Sequence, residues 1–284
     1  MPWSECRLRS ILRPDSDVPI AVHSAEPRFI FLWNHKVASR SLRQTLREAF
    51  PQLRIYHQAS FRPFARDAEW PRFLVVRNPW ARAASCFKNK CRGAIGGLVR
   101  NGVLEPCQRH LLRELGMWPC RPEAGADRLA SLGFDDFVSL LPGVREGNSH
   151  FRLQIDVMPD AAPAPSRVTG ATRAARALVQ LARTHYRTPR LMGPTLSVEL
   201  DRAKLEAARG PNIDWLRMED LPAEWSRVEQ RLGRSIDLPW LVRTAQEEDW
   251  RELYTAELYD RVRALYRPDF ELFGYGHSHE ETSR

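Results

Sequence analysis

Two short polar segments about forty residues apart carry the residue types that hold anions. The first, His35-Lys36-Val37-Ala38-Ser39-Arg40-Ser41, follows the apolar run Phe29 to Trp33. A helix starting there would offer unpaired N–H groups and the positive end of its macrodipole, to which Ser39 and Ser41 add hydroxyls and Lys36 a mobile charge. The second begins at Arg77, directly after Phe73 to Val76, and continues through Pro79, Arg82 and Ser85. Ser85 lies roughly two helical turns beyond Arg77, so a guanidinium and a hydroxyl could hold opposite sides of one phosphate. Arg82 sits between them on a neighbouring part of the same helix face. Taken singly, these residues could be a helix cap, a solvated lysine and a surface ion pair. Taken together, two strand-turn-helix units meeting at one edge of a parallel sheet could grip a single ligand at two separated anionic groups.

The elements that must position these residues are legible from periodicity and breakers. Residues 1–27 read as an irregular lead-in, interrupted by Pro14, Pro19 and Pro27. A strand covered on both faces is expected from Arg28 to Trp33, then a helix from Ser41 with Leu42, Leu46, Ala49 and Phe50 on one stripe, ended by Pro51. Leu53 to Tyr56 and Phe73 to Val76 predict further strands. Pro79 suits the first turn of a helix reaching Lys90. Residues 91–135 hold Gly, Pro and Cys clusters with one helical stretch near Gln108 to Leu115, and Pro159 to Ser166 reads as a surface loop. Asn212 to Arg217 predicts a late strand, followed by a helix through Trp225, Val228 and Leu232. A last helix from Glu247 to Tyr266, with a core stripe of Leu253, Leu258, Val262 and Leu265, should stop at Pro268. The fold class implied is α/β, a central parallel sheet flanked by helices, as one domain over residues 28–276 with a tail at 277–284.

Composition agrees with one sizeable core and an anionic partner. The chain has 284 residues, 43% of them hydrophobic, and a net charge of +8. That charge fits a nucleotide, an acidic polysaccharide, a nucleic acid or an anionic membrane surface. Only four of its 43 basic residues are lysines, and Lys36, Lys88 and Lys90 fall in or beside the two segments. Signal-peptide and membrane-spanning runs are both missing from the sequence, so a cytoplasmic chain without a transmembrane segment is expected. Five cysteines without a Cys-x-x-Cys pair argue for free thiols and against a structural metal site.

At the level of motifs, the chain resembles the 3′-phosphoadenylyl-sulfate (PAPS)-dependent sulfotransferases, particularly the carbohydrate sulfotransferase branch. His35 to Ser41 resembles that family's 5′-phosphosulfate loop, and Arg77-Asn78-Pro79-Trp80-Ala81-Arg82-Ala83-Ala84-Ser85 matches its 3′-phosphate pattern Arg-x-Pro-x-x-Arg-x-x-Ser. Weaker similarities occur at His150 to Gln154, at Met218 to Leu221 and at Tyr266 to Tyr275. The resemblance implies a P-loop-like three-layer fold and transfer of a sulfuryl group from PAPS to a hydroxyl of a carbohydrate or glycoconjugate, with no metal required. Lys36 and the loop residues His35, Val37, Ala38, Ser39, Arg40 and Ser41 would bind the phosphosulfate, and Arg77, Arg82 and Ser85 the 3′-phosphate. The acceptor needs a base, for which His57, resembling the histidine segment of uronosyl 2-O-sulfotransferases, competes with His150 and His35. Two other readings remain. A P-loop nucleotide kinase would require a Gly-x-x-x-x-Gly-Lys loop, and the first segment contains no glycine. A nucleic-acid-binding protein would require a dense basic patch with interleaved aromatics, whereas the arginines here are dispersed.

Overall fold

A computed structural model describes residues 19–23, 25–57, 70–93, 97–145, 147–157, 213–238 and 249–276. Its centre is a mixed five-stranded sheet built from β1 (Pro19–His23), β2 (Phe29–Trp33), β3 (Arg54–His57), β4 (Arg72–Val76) and a late strand, Ile213–Arg217, in the order β3-β1-β2-β4-late strand. The wholly parallel sheet expected from sequence is corrected on one strand. β2, β4 and the late strand run parallel, while β1 pairs antiparallel with both β2 and β3. β1 also corrects the reading of residues 1–27 as irregular. Pro19, which reads locally as a breaker, stands at the first residue of a strand, where a missing N–H is tolerated.

Every residue of β2 and of β4 is buried, as continuous apolar runs in a sheet covered on both faces must be. Alternation then divides them between two cores. Ile30, Leu32, Leu74 and Val76 join one core; Phe29, Phe31, Trp33, Phe73 and Val75 join the other. The second core is closed by helix α1 (Ser39–Ala49), through Leu42 and Leu46, and by the helix after the late strand, Leu221–Leu232, through Trp225, Val228 and Leu232. The first core is closed by α2 (Pro79–Lys90), α3 (Pro106–Glu114), α4 (Pro122–Ser131) and α5 (Phe134–Val144), together with the C-terminal helices. In chain order the late strand is β7, after the short hairpin β5 (Val99–Arg100) and β6 (Val103–Leu104), and its helix is α6.

Among its described residues, the region 91–135, where sequence suggested a single helical stretch, therefore holds two helices, α3 and α4, and the start of a third, α5. Pro106 and Pro122 each sit at a helix start, where proline's missing N–H costs nothing, so prolines that look like breakers are initiators. Polar caps and one more such proline split the expected last helix. Asp249 caps a 3₁₀ turn, Trp250–Leu253; Thr255 caps α7 (Ala256–Leu265) by accepting from the Leu258 N–H at 3.3 Å; and Pro268 opens α8 (Arg267–Phe273) instead of ending the chain's helices. Among the described residues, no helix is long and apolar enough to cross a membrane. The expected loop at 159–166 and the residues of 277–284 lie outside the described residues.

Candidate anion-binding site

Parallel pairing of β2 with β4, in which Trp33 is aligned with Val75, delivers both polar turns to the same edge of the sheet. There they touch: Arg77 Nη1 donates to the Lys36 carbonyl oxygen at 3.2 Å. In the first turn, Lys36 and Ala38 hold left-handed φ values of 70° and 53°, conformations that side-chain-bearing residues adopt at a cost. Ala38 is also the cap residue of α1 and has no polar group to satisfy the helix's leading N–H groups. Ser39 and Ser41 lie in the first turn of α1 and are half-buried. For Arg40 only the backbone, in that same first turn, is described. Val37 is fully buried in the α1-side core and anchors the turn.

Lys36 Nζ reaches across to α2 and donates to Asn89 Oδ1 at 2.6 Å. Burial pulls its pKa down to about 8, partly opposed by the Cys86 thiol nearby. His35, one residue earlier, stacks flat on His150 with ring centroids 3.8 Å apart and planes inclined by 15°. Its Nε2 is buried and has no hydrogen-bond partner among the described residues. Burial, and then the charges of Arg82, Arg152, Lys90 and Lys36, drive the His35 pKa down to about 3. His150 is held well below the ordinary histidine range by burial first, and then by His35, Lys90, Lys36 and Arg82. The gathered cations come after burial among the causes of these shifts, and it is that gathering of positive charge, not the burial, that favours an anion here.

The second turn is fixed in another way. Gln154, fully buried, pairs with both main-chain groups of Arg77: its Oε1 accepts from the N–H at 2.9 Å, and its Nε2 donates to the carbonyl at 2.8 Å. Gln154 belongs to a 3₁₀ turn, Gln154–Val157, whose leading N–H groups donate to the buried carboxylate of Asp269 at 2.8 to 3.1 Å. Glu219, at the β7–α6 junction, accepts from the Asn78 N–H at 2.8 Å and from the Tyr275 hydroxyl at 3.1 Å. Asn78 Oδ1 caps α2 by accepting from the Trp80 and Ala81 N–H groups at 3.0 and 3.4 Å. Ser85 lies two turns along, half-buried on α2.

The expected site residues are thus sorted by the fold. His35, Lys36, Arg77 and His150 come together. Arg82 is 2% exposed, and its terminal nitrogens donate to the carbonyls of Arg152 at 2.9 Å and His150 at 3.2 Å, so it fastens the 148–154 segment to α2 while contributing charge from behind. Trp80 belongs to the core, donating to the Tyr259 carbonyl at 3.0 Å and packing on Phe270. His57 ends β3 at the same sheet edge, two strands from β2 and therefore roughly 10 Å to the side. Its side chain lies outside the described residues. Gln154, Glu219, Asp269, Asn89 and Asn148 were missed as site residues. Gln154, Glu219 and Asp269 fall inside the weaker motif similarities, at His150 to Gln154, Met218 to Leu221 and Tyr266 to Tyr275, whereas nothing local marks Asn89 or Asn148.

Glu105, Cys107 and His150 bring a carboxylate oxygen, a sulfur and a ring nitrogen within 4.8 Å of one another. The Lys90 ammonium is bound to that carboxylate, Arg100 Nη1 lies 3.4 Å from its other oxygen, and burial pushes the Cys107 thiol up to about 12. A thiol kept protonated beside two cations is a poor ligand for a further cation. Comparison of the chain with protein-family models, curated proteins and solved structures found no match.

Proposed function

We propose that the protein is a PAPS-dependent sulfotransferase acting on a hydroxyl of a carbohydrate or glycoconjugate, with the sheet and its covering helices forming a P-loop-like three-layer fold. The observation that carries the reading is the meeting of the two turns, with the Arg77 guanidinium on the Lys36 carbonyl, at one edge of parallel strands. A nucleotide with phosphates at both its 5′ and 3′ positions has the charge distribution for which two such turns are suited. The residues present fit the donor: among the described residues, α1 has leading N–H groups without a side-chain cap, His35 Nε2 has no hydrogen-bond partner, and five basic side chains (Lys36, Arg77, Arg82, Lys90 and Arg152) gather around the turns.

When bound, the donor supplies a sulfuryl group and departs as adenosine 3′,5′-bisphosphate. Transfers of this kind pass through a loose, in-line transition state, so the protein's share is positioning and charge stabilisation. Lys36 and the N–H groups of the first turn would stabilise charge developing on the leaving oxygen. Arg77 and Ser85 would set the register by holding the 3′-phosphate. The main-chain anchors at Gln154 and Glu219 keep Arg77 at its station as the ligand comes and goes. The scheme requires no metal.

Thermal unfolding with adenosine 3′,5′-bisphosphate, with ATP and magnesium, and with a single-stranded oligonucleotide separates this reading from the kinase and nucleic-acid readings. The bisphosphate should raise the midpoint most, and without metal, since a ligand at about 100 Kd adds about 2.7 kcal/mol to the native state. A larger shift with ATP and magnesium, or with the oligonucleotide, would contradict the proposal.

A further inference from the structure

Hydrogen bonds around His150 fix where its proton sits. Asn148 Oδ1 accepts from the His150 main-chain N–H at 2.9 Å, which identifies that atom of the amide as the oxygen. The same oxygen lies 3.2 Å from His150 Nδ1, so Nδ1 must carry the hydrogen. The other end of the amide, Nδ2, faces His110 Nδ1 at 3.5 Å, donor toward acceptor, and holds Asn148 in that orientation. The neutral His150 ring therefore keeps its lone pair on Nε2, and the stack on His35 sets this ring against the first turn, beside Lys36.

Burial first, and then the surrounding charges, oppose protonation of that lone pair in the free protein. His35 and Lys36 face the ring from the first turn, Arg82 and Lys90 from α2, and Arg152 lies on the ring's own segment. Cys86 donates to the His150 carbonyl at 3.3 Å, and Cys107 and Glu105 stand at the start of α3 with Lys90 and Arg100 on the carboxylate. His110 lies behind Asn148. Cations outnumber the single carboxylate in this set, so an imidazolium would be added to an already positive enclosure. An anionic ligand lying against Lys36 reverses the field at Nε2, because a negative charge within a few ångströms favours the protonated ring.

We propose, on the reading of this site as a sulfuryl donor's, that His150 Nε2 takes the acceptor hydroxyl's proton, that Asn148 is the positioning residue keeping Nε2 available, and that the donor's own charge arms the base. In the step, the acceptor oxygen bonds to sulfur while the bond from sulfur to the bridging oxygen breaks. That bond's electron pair leaves on the 5′-phosphate, and the acceptor's proton passes to Nε2. Unloaded protein then has no competent base at this position, which couples acceptor activation to donor binding without a moving lid.

Histidine-ring NMR of the full chain, titrated with and without adenosine 3′,5′-bisphosphate, tests this, with the His150 signal assigned by its loss in His150→Gln. The free protein should show the Nδ1–H form of His150 resisting protonation, and the bisphosphate should raise its midpoint by about one pH unit or more. Asn148→Asp, which keeps the accepting oxygen and adds charge, should raise the midpoint even without nucleotide; Asn148→Ala should mix the two tautomers. If either variant fails to fold, the wild-type titration decides alone. Bisphosphate binding with an unmoved midpoint, or a ring found as Nε2–H, would overturn this inference and leave the donor site standing. Failure of the bisphosphate to bind would overturn the donor reading, and this inference with it.

Discussion

The two turns at the sheet edge are built to opposite specifications. The 77–85 turn is pinned at nearly every main-chain group: Gln154 takes both those of Arg77, Glu219 takes the Asn78 N–H, and Asn78 itself caps α2. The 35–41 turn is held by the burial of Val37, by the Arg77 guanidinium on the Lys36 carbonyl, by the stack of His35 on His150 and by the reach of the Lys36 side chain to Asn89, and it keeps two non-glycine residues at left-handed φ. Rigid main chain suits a ruler that fixes where a ligand lies; a strained turn carrying a buried lysine suits the end where charge changes during reaction. The difference teaches that two strand-turn-helix units alike in sequence pattern can differ in what holds their backbones, which under the proposed function would divide the labour between them.

That division can be broken from either side. Replacing Lys36 by Met should lower turnover about 10²- to 10³-fold with a smaller effect on bisphosphate affinity, as for loss of a group acting on developing charge; an equal loss in both would assign Lys36 to simple binding. Gln154→Ala should cost about 2 to 4 kcal/mol in denaturant unfolding, because it removes both hydrogen bonds that the fully buried Gln154 makes to the Arg77 main chain, and a change under 1 kcal/mol would show that the second turn is not pinned as described.

Protonation supplies two gentler probes. His35 and His110, with pKa values near 3 and 4, and His150, also lowered, bind protons more weakly folded than unfolded, so their stabilising contribution is complete above about pH 6.5 and is lost as pH falls through the folded values. Asp269, raised by burial to about 6, works against this by one proton below pH 6, and Glu219, also raised, works in the same sense. Stability should therefore fall between pH 6.5 and 4.5, by up to about 1.4 kcal/mol per pH unit for each uncompensated proton, and His150→Gln should flatten the slope. At the alkaline end, Lys36 loses its charge above about pH 8 in the free protein, so bisphosphate affinity should decline there by up to about tenfold per pH unit; an affinity flat to pH 10 would mean the lysine's charge is not used. Asn89→Ala should have the smallest effect, a few-fold on turnover, because it frees Lys36 without removing it.

Much of this architecture was readable from local pattern. The strands at Phe29–Trp33 and Arg72–Val76, the helix from Pro79 to Lys90 and the late strand-helix pair at 213–232 follow from apolar runs and proline positions. What escaped depends on distant partners. The antiparallel β1 is short and opens on a proline, so only its pairing with β2 and β3 makes it a strand. The helices α4 and α5 start at Pro122 and after Gly133, residues that read as loop until a core forms beneath Leu129, Phe137 and Leu141. Within the site, Lys36 and Arg77 stood out by type and spacing, but Arg82 matched the same pattern and proved to be turned toward carbonyls 68 and 70 residues away. Asp269 lies within the Tyr266 to Tyr275 similarity but nothing there told its role, and Asn148 carries no local signal, since both act through main-chain and ring contacts that only the folded chain creates.

The proposed function requires the two turns to hold opposite ends of one nucleotide. Calorimetric titration of adenosine 3′,5′-bisphosphate and of adenosine 5′-phosphate into wild type and Arg77→Ala tests it most directly. The account predicts that wild type prefers the bisphosphate by about tenfold to 100-fold, the worth of a charge-assisted contact, and that the variant binds both ligands alike because only the 3′-phosphate loses its partner. Equal binding of the two ligands by wild type, or a preference that survives in the variant, would contradict it.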